Sequence, residues 1–84
     1  MAKYKLELKD KVRKKDFDGI PKKFLVKIVE RIGTLRDNPL PRGVEKLGGN
    51  KYRVRQGDYR ILYEVADQVV TVTKVGTRQG VYKK

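Results

Sequence analysis

An α+β fold is predicted for this chain, ordered β-α-α-β-β-β, with an antiparallel sheet and a helix pair packed on one of its faces. Three observations predict it. Apolar residues recur at spacings of three and four between residues 21 and 37. The period then drops to two from residue 51 to residue 75. Within that stretch, Gln56-Gly57-Asp58 and Asp67-Gln68 are turn signals that divide it into three hairpin-connected strands.

Each element has its own local reason. Residues 3 to 9 alternate, with Tyr4, Leu6 and Leu8 facing one way and Lys3, Lys5, Glu7 and Lys9 the other, as in a half-buried strand. Asp10 is placed to cap a short basic helix through about Phe17, in which Val12 and Phe17 are the apolar residues. Gly19 breaks that segment, and Pro21 suits the first position of the next helix. Phe24, Leu25, Ile28, Val29, Ile32 and Leu35 then form an apolar stripe wide enough to lie on a sheet. Pro39 and Pro41 end the helix at about residue 37. Residues 44 to 47 read as a brief extended lead-in, and Gly48-Gly49-Asn50 as a turn. Strands are expected over 51–56, 59–66 and 69–75, the last rich in valine and threonine.

The 84 residues give room for one domain, spanning 1–84, with one modest core. With no cysteine and no histidine, the chain has no disulfide framework, no thiolate or imidazole metal site and no ordinary neutral-pH base. No cofactor and no metal are expected, so any catalysis falls to Arg, Lys, Tyr, Asp or Glu. The net charge of +12 is large for this size and attracts polyanions. It is spread along the chain: residues 1–50 carry 14 basic and 7 acidic side chains, the remainder 8 and 3. No apolar run is long enough to span a bilayer and the N-terminus lacks a signal-peptide core, which reads as a soluble cytoplasmic protein.

Strand alternation selects candidate functional residues. Tyr52 and Val54 point one way and Arg53 and Arg55 the other, while Ile61, Tyr63 and Val65 oppose Arg60, Leu62 and Glu64. With the apolar sets under the helices, Arg53, Arg55 and Arg60 share the open face, and Arg78 and Tyr82 follow the last strand. Guanidinium forks match phosphate oxygens and keep their charge at any accessible pH. Tyrosine stacks on bases or donates to phosphate. Lys51 and Lys83 extend the basic surface. Arginines at alternate strand positions are also the ordinary solvated face of an amphipathic strand, and Tyr52, Tyr59 and Tyr63 suit packing as well as stacking. Asp58 reads as a turn residue, and Glu64 as the ion-pair partner of a neighbouring arginine.

Taken together, Lys46-Leu47-Gly48-Gly49, Tyr52-Arg53-Val54-Arg55, Gly57-Asp58-Tyr59-Arg60-Ile61-Leu62-Tyr63 and Val75-Gly76-x-Arg78-x-x-Val81-Tyr82 resemble the RelE/ParE superfamily of toxins from type II toxin–antitoxin systems. The resemblance covers nearly the whole chain. It implies a RelE-like fold and a ribosome-dependent, metal-independent endoribonuclease that cleaves mRNA and inhibits translation, with a cognate acidic antitoxin as partner. It further implies that Arg53 and Arg60 hold the phosphate, with Arg55 near the attacking 2′-hydroxyl. Arg78 would lie near the leaving 5′-oxygen, and Tyr82 would orient or stack on the substrate. Lys51, Arg53, Arg60, Arg78 and Lys83 would contact RNA. Two positions depart from the pattern: Arg55 stands where cleaving members often carry lysine, and Thr77 where relatives frequently carry histidine or lysine. Two other readings stay open, a ParE-like inhibitor of DNA gyrase and a catalytically weakened toxin that retains antitoxin and nucleic-acid binding.

Overall fold

The computed structural model describes residues 3–77. Five strands form one sheet: β1 (Lys5–Leu8), β2 (Glu45–Gly48), β3 (Lys51–Gln56), β4 (Tyr59–Ala66) and β5 (Val69–Thr77), in the spatial order β1-β5-β4-β3-β2. The expected lead-in is thus a strand in its own right, paired antiparallel to β3. The α+β class stands, but the sheet is mixed. β2 to β5 are antiparallel, whereas β1 runs parallel to β5, with Lys5 beside Val69 and Leu8 beside Val72. Alternation is the same in either direction, so the sequence pattern of residues 3–9 carries no information on the orientation of β1.

The main helix, α1 (Lys22–Thr34), starts one residue later than the proline position suggests. Pro21 is extended, at φ −54° and ψ 141°, and its carbonyl accepts the first two helical bonds from the Phe24 and Leu25 N–H groups, both at 3.0 Å. Ile28, Ile32 and Leu35 are buried and Leu25 packs beside them. The expected stripe is wider than the buried one, since Phe24 and Val29 are 43% and 49% exposed. They flank the central row at the edges of the helix face, where the sheet no longer reaches.

The expected first helix is a tighter and looser combination of turns: a π-helical turn over Val12–Asp16 followed by a 3₁₀ turn over Phe17–Gly19. Asp10 does not cap it. Its carboxylate accepts instead from Arg13 Nη2 at 2.6 Å, while Arg13 Nη1 reaches the Leu8 carbonyl at 3.0 Å and secures the exit from β1. Val12 is fully buried, and Asp16 reaches across to β5. Among the described residues no helix is long and apolar enough to cross a membrane.

Val54, Ile61, Tyr63, Val70, Val72 and Val75 carry the sheet side of the core, against Val12, Ile20 and the α1 row. Two loops are closed by residues at positive φ. Gly57 (φ 61°) supplies the first loop position of the β3–β4 hairpin, whose closing pair is Gln56 and Tyr59. Asp67 and Gln68 (φ 53° and 65°) close the β4–β5 hairpin. β5 itself is irregular. Leu62 pairs with Lys74 but Tyr63 pairs with Val72, which leaves Thr73 as a bulged residue whose hydroxyl donates to the Leu62 carbonyl at 3.3 Å.

β1 covers β5 only as far as Val72. Beyond it, the Val75 N–H donates to Asp16 Oδ2 at 2.9 Å, so a carboxylate replaces a neighbouring strand. Asp16→Ala leaves that amide unpaired and is expected to lower the unfolding free energy by about 2 kcal/mol, measured by denaturant titration. Tyr63 is a second tie. It is 1% exposed, and its hydroxyl donates to the Pro39 carbonyl at 2.5 Å, holding the loop after α1 against the sheet.

Burial pushes the Tyr63 hydroxyl from 10.0 up to about 12, against the lowering effect of the nearby Arg31 charge and with a small further rise from Tyr52. The folded pKa lies above the unfolded one, so this contribution is complete below pH 10 and is lost as pH rises towards about 12. Stability should therefore fall by roughly 2–3 kcal/mol over that window. Tyr63→Phe should flatten this alkaline limb while costing about 1 kcal/mol at neutral pH, as read from denaturant midpoints across the pH series.

Candidate functional site

The two faces of the sheet have opposite characters. Tyr52, Val54, Ile61, Tyr63, Val70, Val72 and Val75 face the helices. The other face carries Lys51, Arg53, Arg55, Arg60, Leu62, Glu64, Lys74 and Gly76 in register across β3, β4 and β5. One cross-strand row is Arg55–Arg60–Gly76, and the next is Glu45–Arg53–Leu62–Lys74. The expected convergence of Arg53, Arg55 and Arg60 on the open side is present.

The three arginines differ in what surrounds them. Arg53 Nε and Nη2 both donate to Glu45 Oε1, at 2.9 and 2.7 Å. The Arg53 side chain is only 12% exposed and that of Glu45 61%, so the carboxylate lies on the solvent side of the pair. Arg55 and Arg60, by contrast, stand directly opposite each other. Neither has a carboxylate within ion-pair distance among the described residues; Arg60 makes a single long contact, from Nη1 to the Tyr59 carbonyl at 3.4 Å. Like charges facing across a ladder destabilise it. A bound anion would remove that penalty.

The expected arginine partner of Glu64 is not found. Its register neighbour is Lys51, it makes no ion pair among the described residues, and Glu45 from the added strand β2 takes the arginine instead. Asp58 occupies the hairpin loop, as a turn residue should. β5 runs on to Thr77, and Arg78, Tyr82 and Lys83 lie outside the described residues. Thr77 pairs with Tyr59, which places it on the helix-facing side of the sheet and not with Arg55 and Arg60. Among the described residues no cluster of His, Cys, Asp or Glu is placed to hold a metal ion.

On the helix side of the hairpin end, Phe24, Tyr59, Gln56 and Thr77 line an open cleft of about 520 Å³ rimmed by Lys23 and Lys27. The Phe24 and Tyr59 rings meet at 5.9 Å, and Lys23 Nζ lies 5.1 Å from the Phe24 ring centre. The sequence pattern did not reveal this cleft, because Phe24 counts as one more member of the helical stripe. Glu45 was also missed, and so was Lys74. For Lys74 the available signal was the apolar Val75 beside it, which is out of phase with Val70 and Val72.

Comparison with known proteins agrees with this architecture. The family model described as the ParE toxin of type II toxin–antitoxin systems, parDE, matches residues 5–82. A protein of Methanocaldococcus jannaschii that bears the name RelE1 is 35% identical over 88 residues, covering 96% of this chain and 97% of its own. Among solved structures, the archaeal RelE–RelB complex from Pyrococcus horikoshii contains a chain of TM-score 0.81 and 32% identity, covering 90% of this chain and 96% of that one. The RelBE2 toxin–antitoxin complex from Mycobacterium tuberculosis gives 0.77 at 28% identity, over 93% and 94%. A match over almost every residue places the chain in the ParE toxin family of type II toxin–antitoxin systems, within the RelE/ParE superfamily.

Proposed function

We propose that this toxin is a ribosome-dependent endoribonuclease of the RelE type, held inactive by a cognate acidic antitoxin. The observation that carries the reading is the Arg55–Arg60 pair, two arginines in register with no carboxylate at ion-pair distance among the described residues, next to the side-chain-free position of Gly76. The complexes of the Pyrococcus and Mycobacterium relatives support an antitoxin as partner. The substrate is the phosphodiester of an mRNA exposed in the decoding site of the ribosome.

In the proposed reaction the 2′-oxygen forms a bond to the adjacent phosphorus as the bond to the 5′-oxygen breaks. The products are a 2′,3′-cyclic phosphate and a 5′-hydroxyl. Solvent water takes the proton from the 2′-hydroxyl and supplies one to the 5′-oxygen, so protons balance without a side-chain base. Arg55 and Arg60 bind the non-bridging oxygens and offset the charge that grows on them, a kind of contact that commonly contributes 10²- to 10³-fold. Arg55 stays protonated and so acts as a charge and a donor, not as the base. Arg78 and Tyr82 enter from the family motif, as the cation near the leaving oxygen and the residue that orients the base.

Arg53 enters differently from the other two. Its Nε and Nη2 both donate to Glu45, so using them on phosphate means releasing that carboxylate, and Glu45 affects how readily the third guanidinium is recruited. The match of residues 5–82 to a ParE family model favours a second reading, inhibition of DNA gyrase, for which the arginine face would serve binding without cleavage.

Expression without antitoxin should arrest growth and leave cuts within ribosome-bound messages, mapped at their 5′ ends. Arg60→Ala should lower cleavage on purified ribosomes by about 10²- to 10³-fold and relieve the arrest. Full toxicity of that variant, or arrest with intact messages and accumulating gyrase–DNA breaks, would refute the nuclease reading. Glu45→Gln should release Arg53 and raise affinity for single-stranded RNA several-fold at low salt, measured by fluorescence anisotropy. An unchanged or weaker affinity would mean that the pair serves only to position β2.

A further inference from the structure

We propose that Lys74 is an additional phosphate-binding residue, which with Arg55 and Arg60 forms a three-cation site around Gly76. The inference rests on the nucleic-acid reading above and assigns it a residue outside the matched motifs.

The bulge at Thr73 is what puts Lys74 there. Counted from the buried Val70 and Val72, strict alternation would send residue 74 into the core and residue 75 to solvent. The extra residue reverses the phase: Val75 is buried opposite Ile61, and Lys74 stands opposite Leu62 on the arginine face. Two residues further, Gly76 stands opposite Arg60, which in turn stands opposite Arg55. Gly76 contributes no side chain beside Arg60, and Lys74 stands two residues before it on the same strand and the same face.

Among the described residues the cations around Gly76 have no carboxylate partner. Lys74 is half-buried and makes no ion pair among the described residues. The nearest carboxylate in its row, Glu45, is bound to Arg53, with Leu62 between Arg53 and Lys74. Three positive side chains without a counter-ion among the described residues therefore gather about one glycine position, with Arg60 beside it and Arg55 one strand further on. A phosphodiester, with its paired non-bridging oxygens, fits this arrangement: the two guanidinium groups offer planar forks and the ammonium a compact point charge. In this arrangement Arg53 is the reserve cation, and Lys74 the resident one.

The test uses the full-length protein and a short 2′-O-methyl single-stranded RNA, which binds but cannot be cut at its 2′-oxygen. Affinity is measured by fluorescence anisotropy over a salt series. Lys74→Gln should weaken binding about tenfold and reduce the slope of log affinity against log salt by about 0.7, the value for one phosphate contact on a single strand. Lys74→Arg should restore both, and Lys14→Gln, which removes a charge from the π-helical turn, should change neither by as much. Gly76→Val keeps every charge but puts a side chain beside Arg60, and should also weaken binding. If Lys74→Gln and Gly76→Val bind as wild type while Arg60→Ala is impaired, Lys74 is a solvated lysine and the inference is wrong, though the nucleic-acid reading survives. If Arg60→Ala is unimpaired as well, both fall.

Discussion

On the side away from β4, the distal half of β5 is held among the described residues by a hydrogen bond from the Val75 N–H to the carboxylate of Asp16. β5 is an interior strand only where β1 accompanies it, and β1 stops opposite Val72. From there to Thr77 the strand would otherwise present an unpaired edge. The π and 3₁₀ turns fill this place, with Val12 anchored in the core and Asp16 meeting the exposed amide. Lys74, Gly76 and the approach to Arg78 are all on this stretch. The short irregular segment between β1 and α1 therefore fixes the geometry of the charged face from the opposite side of the sheet.

The sheet separates two demands that conflict in a small protein. One face carries the packing: Ile61, Val54, Tyr63 and the valines of β5 against Ile28, Ile32 and Leu35. The other carries an electrostatic arrangement that costs stability, with Arg55 opposite Arg60. The strain of that arrangement is tolerated because neither residue belongs to the core. Among the described residues, Arg53 is the one of the three that is neutralised internally; its side chain is largely enclosed, so its carboxylate partner answers its desolvation.

Much of this was legible in the sequence, for identifiable reasons. The α1 stripe, both hairpins and the alternation of β3 and β4 follow from periodicity and from Gly57, which are local. The direction of β1 was not legible, because a half-buried strand of four residues looks the same in either orientation and its partner is set by tertiary packing. Phe24 and Val29 appeared buried because helical spacing cannot say how far the sheet extends beneath the helix. Glu45 was missed because β2 is short, fully exposed and bulged at Leu47, with no pattern to announce a strand. Lys74 was missed because a bulge shifts the register without changing composition. The convergence of Arg53, Arg55 and Arg60 was legible; their unequal neutralisation was not.

The Glu45–Arg53 contact also bears on selectivity by ligand size. A carboxylate tethered on the neighbouring strand is present at an effective concentration far above that of any dissolved metabolite. On the nucleic-acid reading proposed above, a free mononucleotide or inorganic phosphate would have to compete with it unaided, whereas a polymer held at Arg55 and Arg60 would bring its next phosphate to Arg53 as an equally tethered competitor. The same ion pair that quiets one arginine would then work as a filter for chain length, favouring a strand over a monomer.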